Sequence, residues 1–328
     1  MPRPSSLPAG NTGHAFWASL NHAWTFHATG NTGVADADDI KGSKDATLSG
    51  GASLSNTTGL NCAAGADKVT LTQFTSASAT EKVSIVFRAK EAAANNNGMV
   101  FGIDATGTDY AWLRDTSLQV QFRGVSVTAN YSAGTGTALR DYAVVYGEEG
   151  APGAGLQNVK IFSKATGSST WTQDISQNIA YNANPVQFNV IGAGHSSSLD
   201  LVGDVEYFYV LDDTELTLTN LNDEFDDPYN IVEPPDSITL TAQNVQDRVK
   251  MVKASGTFAW TLAGTYNGTP TSIEYRLIKS GSNGGAGTWS TLDASPTGGT
   301  FSQVVNVDGT APFQGFAVRF SNETTATD

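Results

Sequence analysis

The feature that most constrains the fold is a rhythm of short strand-like segments along the whole chain. Segments such as KVTLTQF, EKVSIVFRAK and VQFNVIGAG are rich in β-branched and aromatic residues, and some alternate apolar with polar side chains. Clusters of turn residues separate them at intervals of roughly ten residues. Strands at this spacing are typical of a sandwich or jelly roll. The 34 glycines and the 15% of charged residues suit such a turn-rich, all-β chain.

The first series of strands ends in the segment Asp204–Pro235. After the strand-like VEYFYVL, residues Leu218, Leu221 and Phe225 recur at three- and four-residue spacing, which predicts a helix with one apolar face. Thr217 or Thr219 can cap this helix, and Pro228 is expected to end it. We expect the helix to close a domain and to bury its three apolar residues. The predicted divisions are a flexible arm at 1–13, a domain at 14–232, a stiff linker at 233–236 and a second domain at 237–328.

The second series of strands follows the EPPD linker. It comprises SITLTA, RVKMVKA, TFAWTLAGTY, SIEYRLIK, GTWSTLDA, FSQVVNV and FQGFAVRFS. Seven strands in this length match the size of an immunoglobulin-like sandwich. We predict a core around Phe258, Trp260, Tyr275 and Phe316. Because its turns offer few aromatic residues or clustered acids, we expect this domain to be a connector and not a reader of ligand.

Charge and cysteine content exclude several classes of function. The formal net charge of −14 argues against nucleic acid or an anionic membrane as the main partner, since both call for a basic patch. Cys62 is the sole cysteine, so an intrachain disulfide and a cysteine zinc site are both excluded. The N-terminus lacks the apolar stretch of a secretory signal peptide, and no apolar run has the length of a membrane span. We therefore predict synthesis in a cytoplasm and no insertion into a membrane.

Two stretches carry a resemblance to a known family. The first is SLNHAWTFHATGNTG followed by DATLSGGASL, and the second runs from Gly203–Asp204 to Asp227–Pro228–Tyr229. Together they resemble the concanavalin A-like (laminin G-like) jelly roll of phage and bacterial surface proteins, over residues 14–232. The resemblance implies a two-sheet sandwich in which a short helix follows the last strand.

The second domain is similar to another module. Its segments GTYNGTPTSIEYRL and ASPTGGTFSQVV resemble the small β-sandwich that precedes SGNH-type carbohydrate esterases. The Gly-Asp-Ser block that would carry the esterase nucleophile does not follow in this sequence. The resemblance therefore implies a spacer module without its catalytic neighbour.

Two motifs bear on catalysis. GHSSS, at residues 194–198, approaches a G-x-S-x-G nucleophile elbow, but strands are expected on both sides and the motif needs a strand-to-helix turn. Asp204 and Glu206 place two carboxylates on one face of a strand, as acid–base work requires. Phe208 occupies the third position on that face, where a further acid is expected. We predict no catalytic residues and no enzymatic activity.

Two further groups bear on binding. Tyr110, Trp112 and Arg114 alternate along one strand and are predicted to form a platform on which sugar rings stack; a half-buried sandwich strand gives the same pattern. Asp36, Asp38 and Asp39 offer hard oxygen ligands to Ca²⁺, although they lack EF-hand spacing, and no other cofactor is expected. An acidic surface turn is the alternative. Some laminin G-like domains bind calcium at loop rims.

The resemblance implies a function and a location. It favours a non-enzymatic phage virion or surface-appendage protein, such as a capsid decoration, fibre or tail component. Its expected partners are other virion proteins, host-surface or environmental glycans, and further copies of the chain in a homo-oligomer. The alternative is the N-terminal binding part of a carbohydrate-active enzyme, either an SGNH esterase or a glycoside hydrolase.

Overall fold

The computed structural model divides the chain into two compact units, residues 1–234 and residues 235–328. Both consist almost entirely of strands that form facing sheets. The predicted fold class is confirmed: the chain is all-β, with a concanavalin A-like jelly-roll sandwich and a C-terminal immunoglobulin-like β-sandwich. The structure describes residues 8, 10–31, 35–76, 82–93, 98–103, 109–114, 116–122, 125–130, 137–148, 150–181, 185–193, 200–232, 238–240, 257–266, 270–279, 288–308 and 313–320.

The strands of the first unit follow the predicted rhythm. They are β1 His22–Trp24, β2 Asp36–Ala37, β3 Ala46–Ser49, β4 Ser53–Ser55, β5 Gly59–Cys62, β6 Lys68–Thr75, β7 Val83–Glu91, β8 Met99–Gly102, β9 Tyr110–Arg114, β10 Ser117–Phe122, β11 Val125–Asn130, β12 Arg140–Tyr146, β13 Leu156–Ala165, β14 Thr172–Ala180, β15 Gln187–Ile191 and β16 Gly203–Asp212.

These strands form two antiparallel sheets. Sheet A has the order β14-β13-β12-β7-β16-β5-β4, with β1 also paired to β16, and sheet B has the order β11-β10-β9-β8-β15-β6-β3-β2. The pairings of β7 with β16 and of β6 with β15 join strands that are far apart in sequence. Such crossovers close the jelly roll, and the pairing of β1 with β16 brings the two ends of the unit together on sheet A.

The core of the first unit lies between the two sheets. Phe87 and Phe208 reach it from sheet A, and Phe101 and Phe188 reach it from sheet B. The ring centroid of Phe208 lies 5.3 Å from that of Phe101 and 5.4 Å from that of Phe188, in edge-to-face arrangements. Burial of each such ring contributes about 1.5–3 kcal/mol. The alternation that places these rings inside also fixes which side chains face outward.

Helix α1, Leu218–Glu224, follows β16 as predicted. Thr217 is its N-cap and accepts a hydrogen bond from the backbone of Asn220, so the first of the two predicted caps is correct. The helix ends earlier than predicted, with Phe225 as C-cap. Pro228 instead begins a 3-10 helix, Pro228–Ile231, because its fixed φ suits a first helical position. In the described part of the chain, no helix is long and apolar enough to cross a membrane.

One prediction about this helix is wrong. Leu221 and Phe225 are completely buried, but Leu218 is 38% exposed. Leu218 is the first helical residue, so its side chain lies beyond the edge of the surface that the helix covers. The apolar spacing alone does not reveal this displacement.

Two glycines lie in the motifs that carry the family resemblance, and the structure shows why glycine is needed at each position. A Cβ atom on Gly203 would lie 2.0 Å from the carbonyl oxygen of Lys90 on the neighbouring strand. Gly50 has a φ of +71°, and its Cβ would meet the carbonyl oxygen of Ala66 at 2.4 Å. Both positions therefore require a residue without a side chain.

The second unit is a smaller sandwich. Its described strands are β17 Ile238–Leu240, β18 Thr257–Tyr266, β19 Ile273–Lys279, β20 Ser290–Asp293, β21 Thr300–Asp308 and β22 Phe313–Phe320. They form two sheets with the orders β17-β18-β21 and β20-β19-β22. The predicted strand RVKMVKA lies outside the described residues.

The core of the second unit draws on both of its sheets. It consists of Leu262, Tyr266, Ile273, Leu292, Phe301, Val305, Val318 and Phe320. Tyr275 packs against this cluster, as predicted. The side chains of the other three predicted core residues, Phe258, Trp260 and Phe316, lie outside the described part of the structure.

Candidate functional site

The outward face of sheet A is covered. Tyr207 and Tyr209 of β16 point away from the inter-sheet core and join an apolar cluster with Leu221, Phe225 and Tyr229. The indole nitrogen of Trp171 donates to the carbonyl oxygen of Phe225 at 3.0 Å, which fixes the end of α1 on the sheet. Segment 14–20 also packs here: the rings of Phe16 and Phe225 lie 5.7 Å apart. This face is therefore occupied by the protein itself.

A buried network of charged groups lies under the same cover. The guanidinium of Arg88 donates to both oxygens of Asp141 and, at 3.1 Å, to Glu206. The hydroxyl of Tyr229 donates to Glu206 at 3.1 Å. Burial lowers the pKa of Arg88, but the adjacent carboxylate of Asp141 outweighs burial and raises that pKa above its usual value. The network ties the Asp-Pro-Tyr segment to sheet A.

The two predicted acidic residues, Asp204 and Glu206, have different hydrogen-bond and ion-pair partners in the structure. Asp204 accepts from the side chain of Asn61 at 2.8 Å and pairs with Lys90 at 3.1 Å. Glu206 belongs to the buried network instead. A β-bulge between Val205 and Tyr207 breaks the strict alternation. Phe208 consequently packs in the inter-sheet core, so the expectation that it shares the face of these acids is wrong.

The outward face of sheet B carries the predicted platform. Ala111 and Leu113 point into the core, so the alternate residues of β9 point outward. These are Tyr110, Trp112 and Arg114. Tyr110 is buried, Trp112 is half-buried and Arg114 is exposed. The guanidinium of Arg114 lies 4.9 Å from the centroid of the Trp112 ring. All three residues share one face.

Neighbouring strands extend this platform with polar side chains. In the register of β9, β10 and β11, Trp112 lies opposite Gln119, and Gln119 lies opposite Thr128. Arg114 Nη1 donates to Gln119 Oε1 at 3.4 Å, and Gln119 Nε2 donates to Ser126 Oγ at the same distance. We call the outward side chains of β9, β10 and β11 the Trp112 face. Gln119, Gln121, Ser126 and Thr128 were not among the predicted residues, although the alternation of SLQVQF and VSVTAN places them.

The predicted calcium ligands are Asp36, Asp38 and Asp39. The carboxylate of Asp39 accepts hydrogen bonds from the backbone of Ala23 and Gly42, both at 2.9 Å, and contacts Nδ1 of His22 at 2.6 Å. Burial raises the pKa of Asp39, but these hydrogen bonds outweigh it and hold that pKa below its usual value. The hydrogen bonds of Asp39 thus stabilise the turn in which it lies.

Within the described residues, no group of three or more His, Cys, Asp or Glu side chains converges as a metal site. Calcium binding at Asp36, Asp38 and Asp39 stays a prediction. The thiol of Cys62 is buried, and burial together with nearby carboxylates raises its pKa far above the usual range. The GHSSS motif lies outside the described residues.

Comparisons with known proteins concern the fold. No protein-family model and no curated protein matches the sequence. Among solved structures, the binding domain of Paraclostridial Mosquitocidal Protein 1 matches with a TM-score of 0.46 and 9% identity, over 94% of this chain and 76% of that one. The lumenal domain of VIP36, solved with Ca²⁺ and Man2, matches with a TM-score of 0.38 and 9% identity, over 64% of this chain and 96% of that one. At this identity the likeness extends to the β-sandwich only.

A sialidase from Trypanosoma rangeli is also similar, with a TM-score of 0.43 and 9% identity over 71% of this chain. The match spans 37% of the sialidase, so this chain corresponds to about a third of that enzyme's length. The prediction that the chain is not an enzyme is corrected by this finding, because glycoside hydrolases are among the structures that share its fold. None of the three matches named here concerns a phage particle or an SGNH-type esterase, and both associations stay predictions.

Proposed function

We propose that this protein is a glycan-binding β-sandwich that serves as the binding part of a carbohydrate-active enzyme of the glycoside hydrolase class. The observation that carries the proposal is the Trp112 face. It is an outward sheet surface that combines an aromatic ring with amide, hydroxyl and guanidinium groups. The fold neighbours include a sialidase and a domain solved with Man2, but the proposal does not rest on them.

The chemistry of the Trp112 face suits a sugar. One side of a pyranose ring carries mainly C–H bonds, which pack on the electron-rich face of an indole. Because the Arg114 guanidinium lies over the Trp112 ring, a sugar would pack on the opposite face of the indole or displace Arg114. The sugar hydroxyls around that ring need both donors and acceptors, and the amides of Gln119 and Gln121 supply both. The hydroxyls of Ser126 and Thr128 are exposed beside them. A glycan lying across β9, β10 and β11 would contact the indole on β9, the amides on β10 and the hydroxyls on β11.

The rest of the sandwich supports the choice of face. Sheet A is covered by α1, the 3-10 helix and segment 14–20, whereas Arg114, Ser126 and Thr128 on sheet B are exposed. The strands fix the backbone under the Trp112 face, so little conformational entropy is lost when a ligand orders the side chains. A rigid, polar sheet with one aromatic ring is the surface best suited here to an extended polysaccharide.

Binding to an array of neutral and acidic oligosaccharides tests this function. Trp112→Ala is expected to lose at least about tenfold in affinity for any glycan that binds, as removal of an aromatic anchor does. Trp17→Ala is the matched control, because Trp17 is also half-buried and also lies under a cation, with Lys41 Nζ 4.4 Å from its ring. Equal affinity of both variants, at unchanged melting temperature, would reject the Trp112 face as the site.

The assignments to a phage virion and to a homo-oligomer rest on the resemblance of the sequence alone. They stay predictions. Imaging of the chain in its native particle, with repeated copies on a capsid or tail, is the observation that would support them.

A further inference from the structure

The second unit carries a tryptophan that contacts two arginines. Trp289 directly precedes β20, and the register of β19 with β20 places it opposite Arg276. Arg319 on β22 lies opposite Glu274, which is two residues before Arg276 on β19. The guanidinium carbons of Arg276 and Arg319 lie 4.6 Å and 4.3 Å from the Trp289 ring centroid. All four side chains point away from the core of this unit, since Ile273, Val318 and Phe320 fill the alternate, inward positions.

The two arginines differ in their partners. Arg319 donates to Glu274 Oε2 from Nε at 2.9 Å, and its Nη2 lies at the same distance from that oxygen. Glu274 therefore neutralises Arg319. Arg276 forms no ion pair with any described residue, and its Nε–H is buried without an acceptor among them. Because Nε is buried, a ligand from outside would reach the terminal Nη groups of Arg276 and not Nε.

The chemistry of Arg276 specifies the missing partner. A guanidinium offers parallel N–H donors that match the two oxygens of a carboxylate, and contact with an aromatic ring fixes its plane in advance. We propose that Arg276, held against Trp289, binds the carboxylate of an acidic sugar such as a uronic acid.

This inference rests on the proposed glycan-binding function, because a carboxylate is also found in acidic peptides and only that function favours the sugar. It gives the second unit a ligand-reading role that differs from the connector predicted from its sequence. Each unit would then recognise different groups of a sugar, hydroxyl groups at the Trp112 face and carboxylates at Arg276.

The test follows the indole N–H resonances of Trp289 and Trp112 by NMR in the full chain. The probes are trigalacturonate and its methyl ester, in which methyl groups remove the charge of the carboxylates. We expect trigalacturonate to shift the Trp289 resonance and the ester to leave it in place. Arg276→Gln is expected to abolish the shift. Arg276→Lys is expected to lower the affinity for trigalacturonate at least about tenfold, since an ammonium cannot donate two parallel N–H groups.

Lys41→Gln is the matched control, because Lys41 also lies over a tryptophan, Trp17, in the first unit and outside both proposed sites. It should leave the Trp289 response unchanged. A Trp289 resonance that ignores trigalacturonate, or that shifts equally in Arg276→Gln and Arg276→Lys, overturns the inference. A stronger response to an oligoglutamate peptide than to trigalacturonate would overturn it in favour of a protein partner. Failure of the proposed function is seen separately, as a Trp112 resonance that responds to no glycan.

Discussion

Arg88 and Asp141 form a two-point ion pair across neighbouring strands of sheet A. Arg88 Nε donates to Asp141 Oδ1 at 2.6 Å, and Nη2 donates to Oδ2 at 3.1 Å. The two residues are direct partners in the register of β7 and β12. The side chain of Asp141 is fully buried and that of Arg88 is 10% exposed. Glu206 and Tyr229 complete the network, so the pair lies where the end of the chain's first unit is fastened to its central strands.

Removal of one partner of this pair should be strongly destabilising. Arg88→Met leaves the Asp141 carboxylate buried without its main cation, and we expect a loss of about 3–5 kcal/mol in the free energy of unfolding of the first unit. Urea unfolding measures this change. Lys82→Met is the control, because Lys82 pairs with Glu148 at the surface and should change stability by less than about 1 kcal/mol. Equal effects of the two substitutions would show that the buried network does not fasten the unit.

Because α1 packs on sheet A, substitutions of its apolar residues should destabilise the first unit to different degrees. Phe225→Ala should cost about 3–5 kcal/mol, because the ring is completely buried. Leu218→Ala should cost much less, since Leu218 is 38% exposed. The melting temperatures of the two variants give the comparison. If Phe225→Ala has the same melting temperature as the wild type, the helix is not docked on sheet A.

Acid should destabilise the first unit through His14. Burial lowers the pKa of His14 below 6.5, against the opposing influence of Glu224. The folded state therefore binds fewer protons than the unfolded chain between the lowered pKa and 6.5. The stability contributed by neutral His14 is present above this window and is lost as the pH falls through it. Unfolding free energies measured from pH 7 to pH 5 should decline, and His14→Gln should flatten that decline.

A second substitution tests the cause of this shift. Glu224→Gln removes the charge that raises the His14 pKa, so an NMR titration of the His14 ring should give a still lower pKa. An unchanged or higher value would mean that the 3.6 Å contact between His14 and Glu224 does not influence the titration.

Gly203 should not tolerate a side chain. The Cβ of Gly203→Ala would fall 2.0 Å from the Lys90 carbonyl oxygen, so β16 or β7 must move. We expect a loss of about 1–3 kcal/mol or more in the free energy of unfolding. Gly13→Ala is the control, because its nearest neighbour would be 3.5 Å away. Similar stability of the two variants would contradict the close approach of these strands.

Local patterns in the sequence predicted much of the fold. Period-two alternation and turn clusters located most strands, and the spacing of Leu221 and Phe225 located α1. The platform of Tyr110, Trp112 and Arg114 was also predictable, because three residues on one strand share a face whatever the strand order. The exposure of Leu218 was missed, since spacing does not tell where a helix begins relative to the surface beneath it.

Relationships set by sheet register could not be predicted from local patterns. Arg88, Asp141 and Glu206 are brought together by strands 53 and 118 positions apart in sequence. Trp289, Arg276 and Arg319 meet only because β19 lies between β20 and β22. The bulge at Glu206 changed the face on which Phe208 lies, and no residue in that strand signals a bulge.

A crystal structure of the protein with the oligosaccharide that it binds most tightly tests the Trp112 face most directly. We expect a sugar ring in van der Waals contact with the indole of Trp112 and hydrogen bonds from sugar hydroxyls to Gln119 and to Ser126 or Thr128. An oligosaccharide bound over α1 on sheet A, or at the loops between the sheets with the Trp112 face empty, would contradict the proposed function of this face.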